Sequence, residues 1–173
     1  RRRDADRCAR HEDRARSVSS PAGAGAPSVT LEPVGKGNRA AILALELLPE
    51  QQGFVASNAE SLAEARHDSE AIARAVVADG RVVGFLMYSA PEDEDEAIIY
   101  RFMIDRREQG RGFGRAAVSR VLEEIAGLAR TRHVSICYEP ENAAARRLYA
   151  SFGFVEKGLD EDGEMIAMLE LGG

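Results

Sequence analysis

The chain is poor in cysteine: Cys8 and Cys137 are the only two in 173 residues. Two cysteines cannot build a disulfide framework or a tetrahedral zinc set, so a reducing, cytoplasmic setting and no bound metal are expected. Long apolar runs are missing as well. None approaches the roughly 18 residues of a membrane span, and a soluble protein with no membrane partner is expected. There is no internal repeat, and 173 residues suffice for one sizeable core but not for two ordinary domains. Positive charge is outnumbered outside one segment. Residues 1–28 hold seven Arg against four acids, which leaves the rest of the chain at a net −9. An acidic body disfavours nucleic acid and favours cationic small molecules. The opening segment is Arg-, Ala-, Ser- and Gly-rich with almost no large apolar residues. It is expected to be a disordered tail over 1–28, ahead of one folded domain over 29–173.

What is present is organised around Gln109-Gly110-Arg111-Gly112-Phe113-Gly114-Arg115, where an apolar run meets the start of a helix. Glycine admits positive φ and lets a ligand approach the main chain. Backbone N–H groups in front of a helix N-terminus form an anion cradle. Arg106, Arg107, Arg111 and Arg115 are expected to crowd around it, and phosphate is the natural guest. A P-loop would need Lys and then Ser or Thr after the last glycine, whereas Gly114 is followed by Arg115 and Ala116. The spacing is G-x-G-x-G rather than the G-x-G-x-x-G of dinucleotide folds. Taken alone, the stretch reads equally as a tight strand-to-helix turn.

Periodicity and punctuation supply the elements. Residues 29–34 read as a strand. A helix is expected from Asn38 through Ile42, Leu45, Leu47 and Leu48, ended by Pro49. Ser57 and Glu60 make a capping box for a second helix. Residues 71–77 and 82–88 form a hairpin about Asp79-Gly80, and 97–105 a third strand after the acidic run 92–96. From Gly112 a helix carries Val118, Val121, Leu122, Ile125, Leu128 and Ala129 on one stripe. A strand at 134–138, a helix at 143–152 stopped by Gly153, and strands at 154–156 and 165–171 complete the chain. The order β-α-α-β-β-β-α-β-α-β-β specifies an α/β fold with a mixed sheet.

The strand Arg101-Phe102-Met103-Ile104-Asp105 runs into the glycine loop. About thirty residues on stands Asn142-Ala143-Ala144-Ala145-Arg146-Arg147-Leu148-Tyr149, closed by Phe152-Gly153-Phe154, a separation suited to one strand-helix-strand unit. Together these resemble the GNAT superfamily of acetyl-CoA-dependent N-acetyltransferases across roughly residues 28–171. That resemblance implies a mostly antiparallel mixed sheet flanked by helices. At finer grain, residues 101–105 and Tyr138-Glu139-Pro140-Glu141-Asn142 resemble the bacterial spermine/spermidine (diamine) acetyltransferase branch. So do Glu50-Gln51-Gln52-Gly53-Phe54-Val55 and Asn58-Ala59-Glu60-Ser61-Leu62-Ala63.

The resemblance implies acetyl-CoA as co-substrate and a small amine, a polyamine such as spermidine or spermine, as acceptor. Phe102, Met103 and Ile104 would run beside the pantetheine arm, and Asn142 and Ala145 would touch it from the other side. Gln109, Gly110, Arg111, Gly112, Phe113, Gly114 and Arg115 would take the pyrophosphate. Tyr149 stands where this family places the acid that protonates the departing thiolate; it also lies on an apolar face with Ala145, Leu148 and Phe152 and so reads as core. The base stays open: relatives carry a carboxylate where Tyr100 stands, and Glu139, Glu141, Glu50 or a water held by Tyr100 are candidates. Glu50, Gln51, Tyr100 and Glu139 are expected on the amine side. Arg101 is expected to pair with an acid, and Cys137 to be a small buried residue. A homodimer is a further implication of the resemblance. Another amine, such as a protein N-terminus or an aminoglycoside, and a non-catalytic acetyl-CoA sensor remain alternatives.

Overall fold

The computed structural model describes residues 27–172; the tail expected over 1–28 lies outside them apart from Pro27 and Ser28. The chain runs β1 (Thr30–Pro33), α1 (Arg39–Leu43), a 3-10 turn (Pro49–Gln51), α2 (Asn58–His67), β2 (Ala71–Ala78), β3 (Arg81–Ser89) and β4 (Glu96–Ile104). It continues through α3 (Phe113–Ala126), β5 (His133–Tyr138), α4 (Ala143–Ala150), β6 (Val155–Leu159) and β7 (Met165–Glu170). Seven strands form one sheet in the order β1-β2-β3-β4-β5-β7-β6. Among the described residues only β4 and β5 pair in parallel; every other pair is antiparallel.

Alternation along the central strands divides the core between the two faces of the sheet. Leu86 and Tyr88 of β3 join Ala117, Val118, Val121 and Ile125 of α3 on one face. Phe85 and Met87 join Ile42 of α1 and Leu62 of α2 on the other. Each such side chain, fully removed from water, stabilises the fold by about 1.5–3 kcal/mol. Glu124 of α3 fastens helix to sheet, accepting from Tyr88 Oη at 2.8 Å and from Arg74 Nε at 2.9 Å.

Local signals produced local structure. Asp79 and Gly80 have φ of 49° and 72°, the left-handed pair that a two-residue hairpin requires. Ser57 Oγ accepts from Glu60 N while Glu60 Oε2 accepts from Ser57 N, closing the capping box on α2.

Several expected boundaries move; α4, for one, stops at Ala150 with Ser151 rather than Gly153 as its C-cap, and β6 runs over Val155–Leu159. α1 stops at Leu43, so Leu45 and Leu47 pack on the second core from an irregular segment. Pro49 opens a 3-10 turn rather than closing a helix, because the first position of such a turn needs no N–H. α3 ends at Ala126, leaving Leu128 and Ala129 off the stripe and Leu128 39% exposed.

One feature of the sheet creates the site. The parallel pairing of β4 with β5 runs from Glu96–His133 to Ile99–Ile136 and there ends, although β4 continues to Ile104 and β5 to Tyr138. Past that point the two strands line a cavity instead of a ladder.

Candidate active site

Two chambers open where the strands part, sharing Phe54, Val55, Phe102, Asn142, Ala145 and Tyr149 in their walls. The first, of about 250 Å³, lies beside the glycine loop and is lined further by Met103, Ile104, Gln109, Gly110 and Gly114. The second, of about 410 Å³, lies toward β5 and the β6–β7 turn, with Tyr100, Arg101, Cys137, Glu139, Asp162 and Glu164 in its wall.

In the loop, Gly110 and Gly112 take φ of +73° and +86°, a conformation that side chains resist. Gly112 is the N-cap of α3 and offers no capping side chain, so the helix's first N–H groups are left for a ligand. The arginines behave differently from expectation. Arg106 and Arg107 turn to Glu46, at 2.7 and 3.1 Å. Arg111 pairs with Glu108 and lies over the Phe113 ring, 5.1 Å from its centroid. Arg115 lies over Phe152 at 4.9 Å and donates to Ser151 Oγ at 2.6 Å. The main chain, rather than a crowd of free guanidinium groups, makes this cradle. Phe113 itself is buried at 4% exposure. Neither it nor Arg111, Gly112 and Arg115 lines the first chamber.

Gln109 anchors the loop. Its Nε2 donates to Ile104 O at 3.0 Å and to Gln51 Oε1 at 2.7 Å. Gln51, expected on the amine side, therefore belongs to the wall of the first chamber. Buried Asp105 reinforces the same junction, accepting from Glu46 N at 3.1 Å and from Arg107 N at 3.0 Å. Glu50, also expected on the amine side, is exposed and lines neither chamber, because the 3-10 turn directs it to solvent.

Asn142 caps α4, its Oδ1 accepting from Ala145 N at 3.0 Å. That helix carries Tyr149, 5% exposed, with its ring 5.6 Å from Tyr138 and 5.8 Å from Phe154. Its hydroxyl makes no hydrogen bond among the described residues. Burial, and then the neighbouring Tyr138, push the phenol well above its ordinary range, so it holds its proton at neutral pH. The core reading and the cleft reading of Tyr149 both describe it: one edge packs, the other faces both chambers. Tyr138 is itself oriented, donating to Glu156 Oε1 at 2.8 Å, where Arg146 also donates.

The second chamber is acidic. Glu139 lines it, as do Asp162 and Glu164 from the β6–β7 turn, which sequence reasoning passed over. The only signal was a run of acids between two short strands, and such runs usually lie in solvent. Burial first, then Asp160 and Glu139, raise the Glu164 carboxyl above the usual range. Cys137 is half-buried rather than buried; burial first raises its thiol and keeps it neutral. Arg101 pairs with Glu64 at 3.3 Å, as its place on a strand required. The Tyr100 hydroxyl is buried without a partner among the described residues, and burial, then Asp68 and Glu64, push it up to about 12. Such a cleft can take a phosphate and an apolar arm on one side, a cation on the other, and keep a protonated phenol between them.

Known proteins fit this arrangement. The Acetyltransferase (GNAT) family pattern matches residues 40–154. The spermine/spermidine N(1)-acetyltransferase of Bacillus subtilis (strain 168) is 33% identical over 151 residues, covering 83% of this chain and 99% of that protein. The structure of spermidine N-acetyltransferase from Vibrio cholerae in complex with CoA and spermine gives a TM-score of 0.67 at 20% identity, over 83% of this chain and 95% of that one. Aminoglycoside acetyltransferase AAC(6')-Ib in complex with coenzyme A gives 0.69 at 16% identity, over 83% and 95%. At those identities the two structures establish the fold. With a family match over most of the chain and a relative matched over nearly its whole length, this chain belongs to the GNAT family of acetyltransferases, whose co-substrate is acetyl-CoA.

Proposed function

We propose that this acetyltransferase acts on a primary amine of a small polyamine, spermidine or spermine. The observation that carries the reading is the second chamber, where Glu139, Asp162 and Glu164 adjoin Tyr149. The name of the Bacillus subtilis relative supports it. In this reading residues 29–173 are one N-acetyltransferase domain, in a cytoplasmic setting, with a homodimer as the expected assembly.

Acetyl-CoA supplies an activated acetyl group, and the residues around the first chamber suit it. Gly110 and Gly112 at positive φ and the uncapped start of α3 offer main-chain N–H groups to the pyrophosphate. Phe102, Met103 and Ile104 line the first chamber, as do Asn142 and Ala145, and in this reading the main chain of the first three would run beside the pantetheine arm with the other two opposite. Backbone N–H groups there polarise the thioester carbonyl. The acidic chamber orients the amine so that its neutral nitrogen attacks directly, with no covalent enzyme intermediate. As the carbon–nitrogen bond forms and the carbon–sulfur bond breaks, Tyr149 gives its proton to the sulfur, the attacking nitrogen releases one proton to water, and the phenolate takes one back from solvent.

The test is free-thiol release from acetyl-CoA with and without spermidine or spermine across a range of pH. Release that depends on polyamine and rises as the amine deprotonates is expected. Release with another amine but not with polyamines would remove the substrate assignment while leaving the transferase.

A further inference from the structure

Glu164 immediately precedes β7, at the end of a hydrogen-bonded turn. Asp160 Oδ1 accepts from Asp162 N at 3.0 Å and from Glu164 N at 2.8 Å, while Asp160 N donates to Glu164 O at 2.9 Å. Gly163 takes φ of +90° to complete the turn. The carboxylate so placed is half-buried against β5: one oxygen each from Glu164 and Asp160 and the Cys137 sulfur lie within 4.8 Å of one another. Yet among the described residues the Glu164 carboxylate makes no hydrogen bond and no ion pair.

Its surroundings deepen the deficit. Asp160 and Asp162 face it from its own turn and Glu139 from the loop before α4; Cys137 faces it from β5, Tyr100 and Arg101 from β4. Arg101 is the one cation among them; its Nη2 is on Glu64 at 3.3 Å and its Nη1 on Tyr100 O at 2.8 Å. Its Nε has no partner among the described residues, and its charge offsets part of the repulsion at Glu164 without an ion pair to it. A carboxylate taken partly from water among like charges, with no partner, is unfavourable unless a cation arrives. The same chamber also presents the Tyr149 hydroxyl, on a side chain 5% exposed and without a hydrogen bond among the described residues. One end of the chamber thus offers an acid to the reaction, and another offers a carboxylate without a hydrogen bond or ion pair among the described residues.

The geometry points to Glu164 as the seat of a second ammonium group, distant from the reacting nitrogen, so that the enzyme selects amines carrying at least two positive charges. The inference rests on the polyamine reading above. A diamine neutralises Glu164 while its other nitrogen reacts near Tyr149; a monoamine of the same length leaves that carboxylate unpaired. A hydrogen bond to a charged group is worth enough to set a preference of about 10- to 100-fold in kcat/KM.

The experiment compares kcat/KM for 1,4-diaminobutane and for butylamine, at saturating acetyl-CoA, in the full chain and in its Glu164→Gln and Glu161→Gln variants. Glu161 sits on the same turn but is exposed and lines neither chamber, so it controls for the general field. The diamine-to-monoamine ratio is expected to fall about 10- to 100-fold in Glu164→Gln and to hold in Glu161→Gln. A ratio that holds in Glu164→Gln, or falls equally in Glu161→Gln, overturns the Glu164 assignment and leaves the polyamine reading standing. A ratio abolished by EDTA and restored by zinc would put a metal ion at Cys137, Asp160 and Glu164 and overturn it too. Wild-type protein that acetylates no diamine would instead remove the polyamine reading, and Glu164 with it.

Discussion

Gln51 and Gln109 exchange two hydrogen bonds, Gln51 Nε2 donating to Gln109 Oε1 at 3.1 Å and Gln109 Nε2 to Gln51 Oε1 at 2.7 Å. The 3-10 turn and the glycine loop, 58 residues apart, are thereby held as one wall of the first chamber.

Replacing Gln109 by Ala removes that exchange and the bond to Ile104 O. At about 1 kcal/mol per bond, KM for acetyl-CoA should rise on the order of tenfold or more, with kcat much less affected. Steady-state kinetics with acetyl-CoA varied would show it; equal loss in kcat would contradict a role confined to the cofactor loop.

Tyr149→Phe keeps the packing against Tyr138 and Phe154 and removes only the hydroxyl. kcat should drop by about 10²–10⁴-fold, while the melting temperature holds, because that hydroxyl makes no hydrogen bond to lose. Since burial raises the phenol, wild-type activity should persist at alkaline pH beyond the ordinary range of tyrosine. Full activity in the variant would remove Tyr149 as the acid.

Gly84 of β3 lies so close to β4 that a Cβ there would meet Met103 O at 2.6 Å and Ile104 Cδ1 at 2.7 Å. Gly84→Ala should destabilise the protein by about 1–3 kcal/mol and weaken acetyl-CoA binding by displacing the strand beside it. Urea unfolding and a binding titration measure the two effects separately.

Glu164 also makes a prediction about stability. Its folded pKa is raised, by burial first and then by Asp160 and Glu139. A group of that kind favours the folded state fully below its unfolded pKa, and the contribution is lost as pH rises through the folded value. Glu164→Gln should therefore raise the melting temperature at neutral pH and change it little at pH below the ordinary carboxylate range. A lower melting temperature at neutral pH would show that the carboxylate has a stabilising partner.

Where the determinants are local, the sequence was readable. Ser57 with Glu60 and Asp79 with Gly80 each act within a few residues, and their geometry follows from local chemistry. α1 was over-extended because Leu45 and Leu47 have helical spacing, yet their burial comes from packing on a sheet that the pattern does not reveal. Gln51 belongs to the first chamber and not to the amine side because it pairs with Gln109, 58 residues away and beyond the reach of any local pattern. Asp162 and Glu164 went unnoticed since charged turn residues look alike whether they face solvent or a cleft. The arginines near the glycine loop depart from the expectation for the same reason: their acidic partners Glu46 and Glu108 turn them aside, and nothing in the local pattern reveals that pairing.

The ladder that stops at Ile99 and Ile136 has a consequence for the life of the molecule outside catalysis. A gap in the middle of a sheet is a place where only the folded chain can hold a guest, so occupancy and folding are linked by mass action. At a hundred times its Kd, such a guest adds about 2.7 kcal/mol to the unfolding free energy. The supply of acetyl donor would then set how long the enzyme resists proteolysis as well as how fast it turns over.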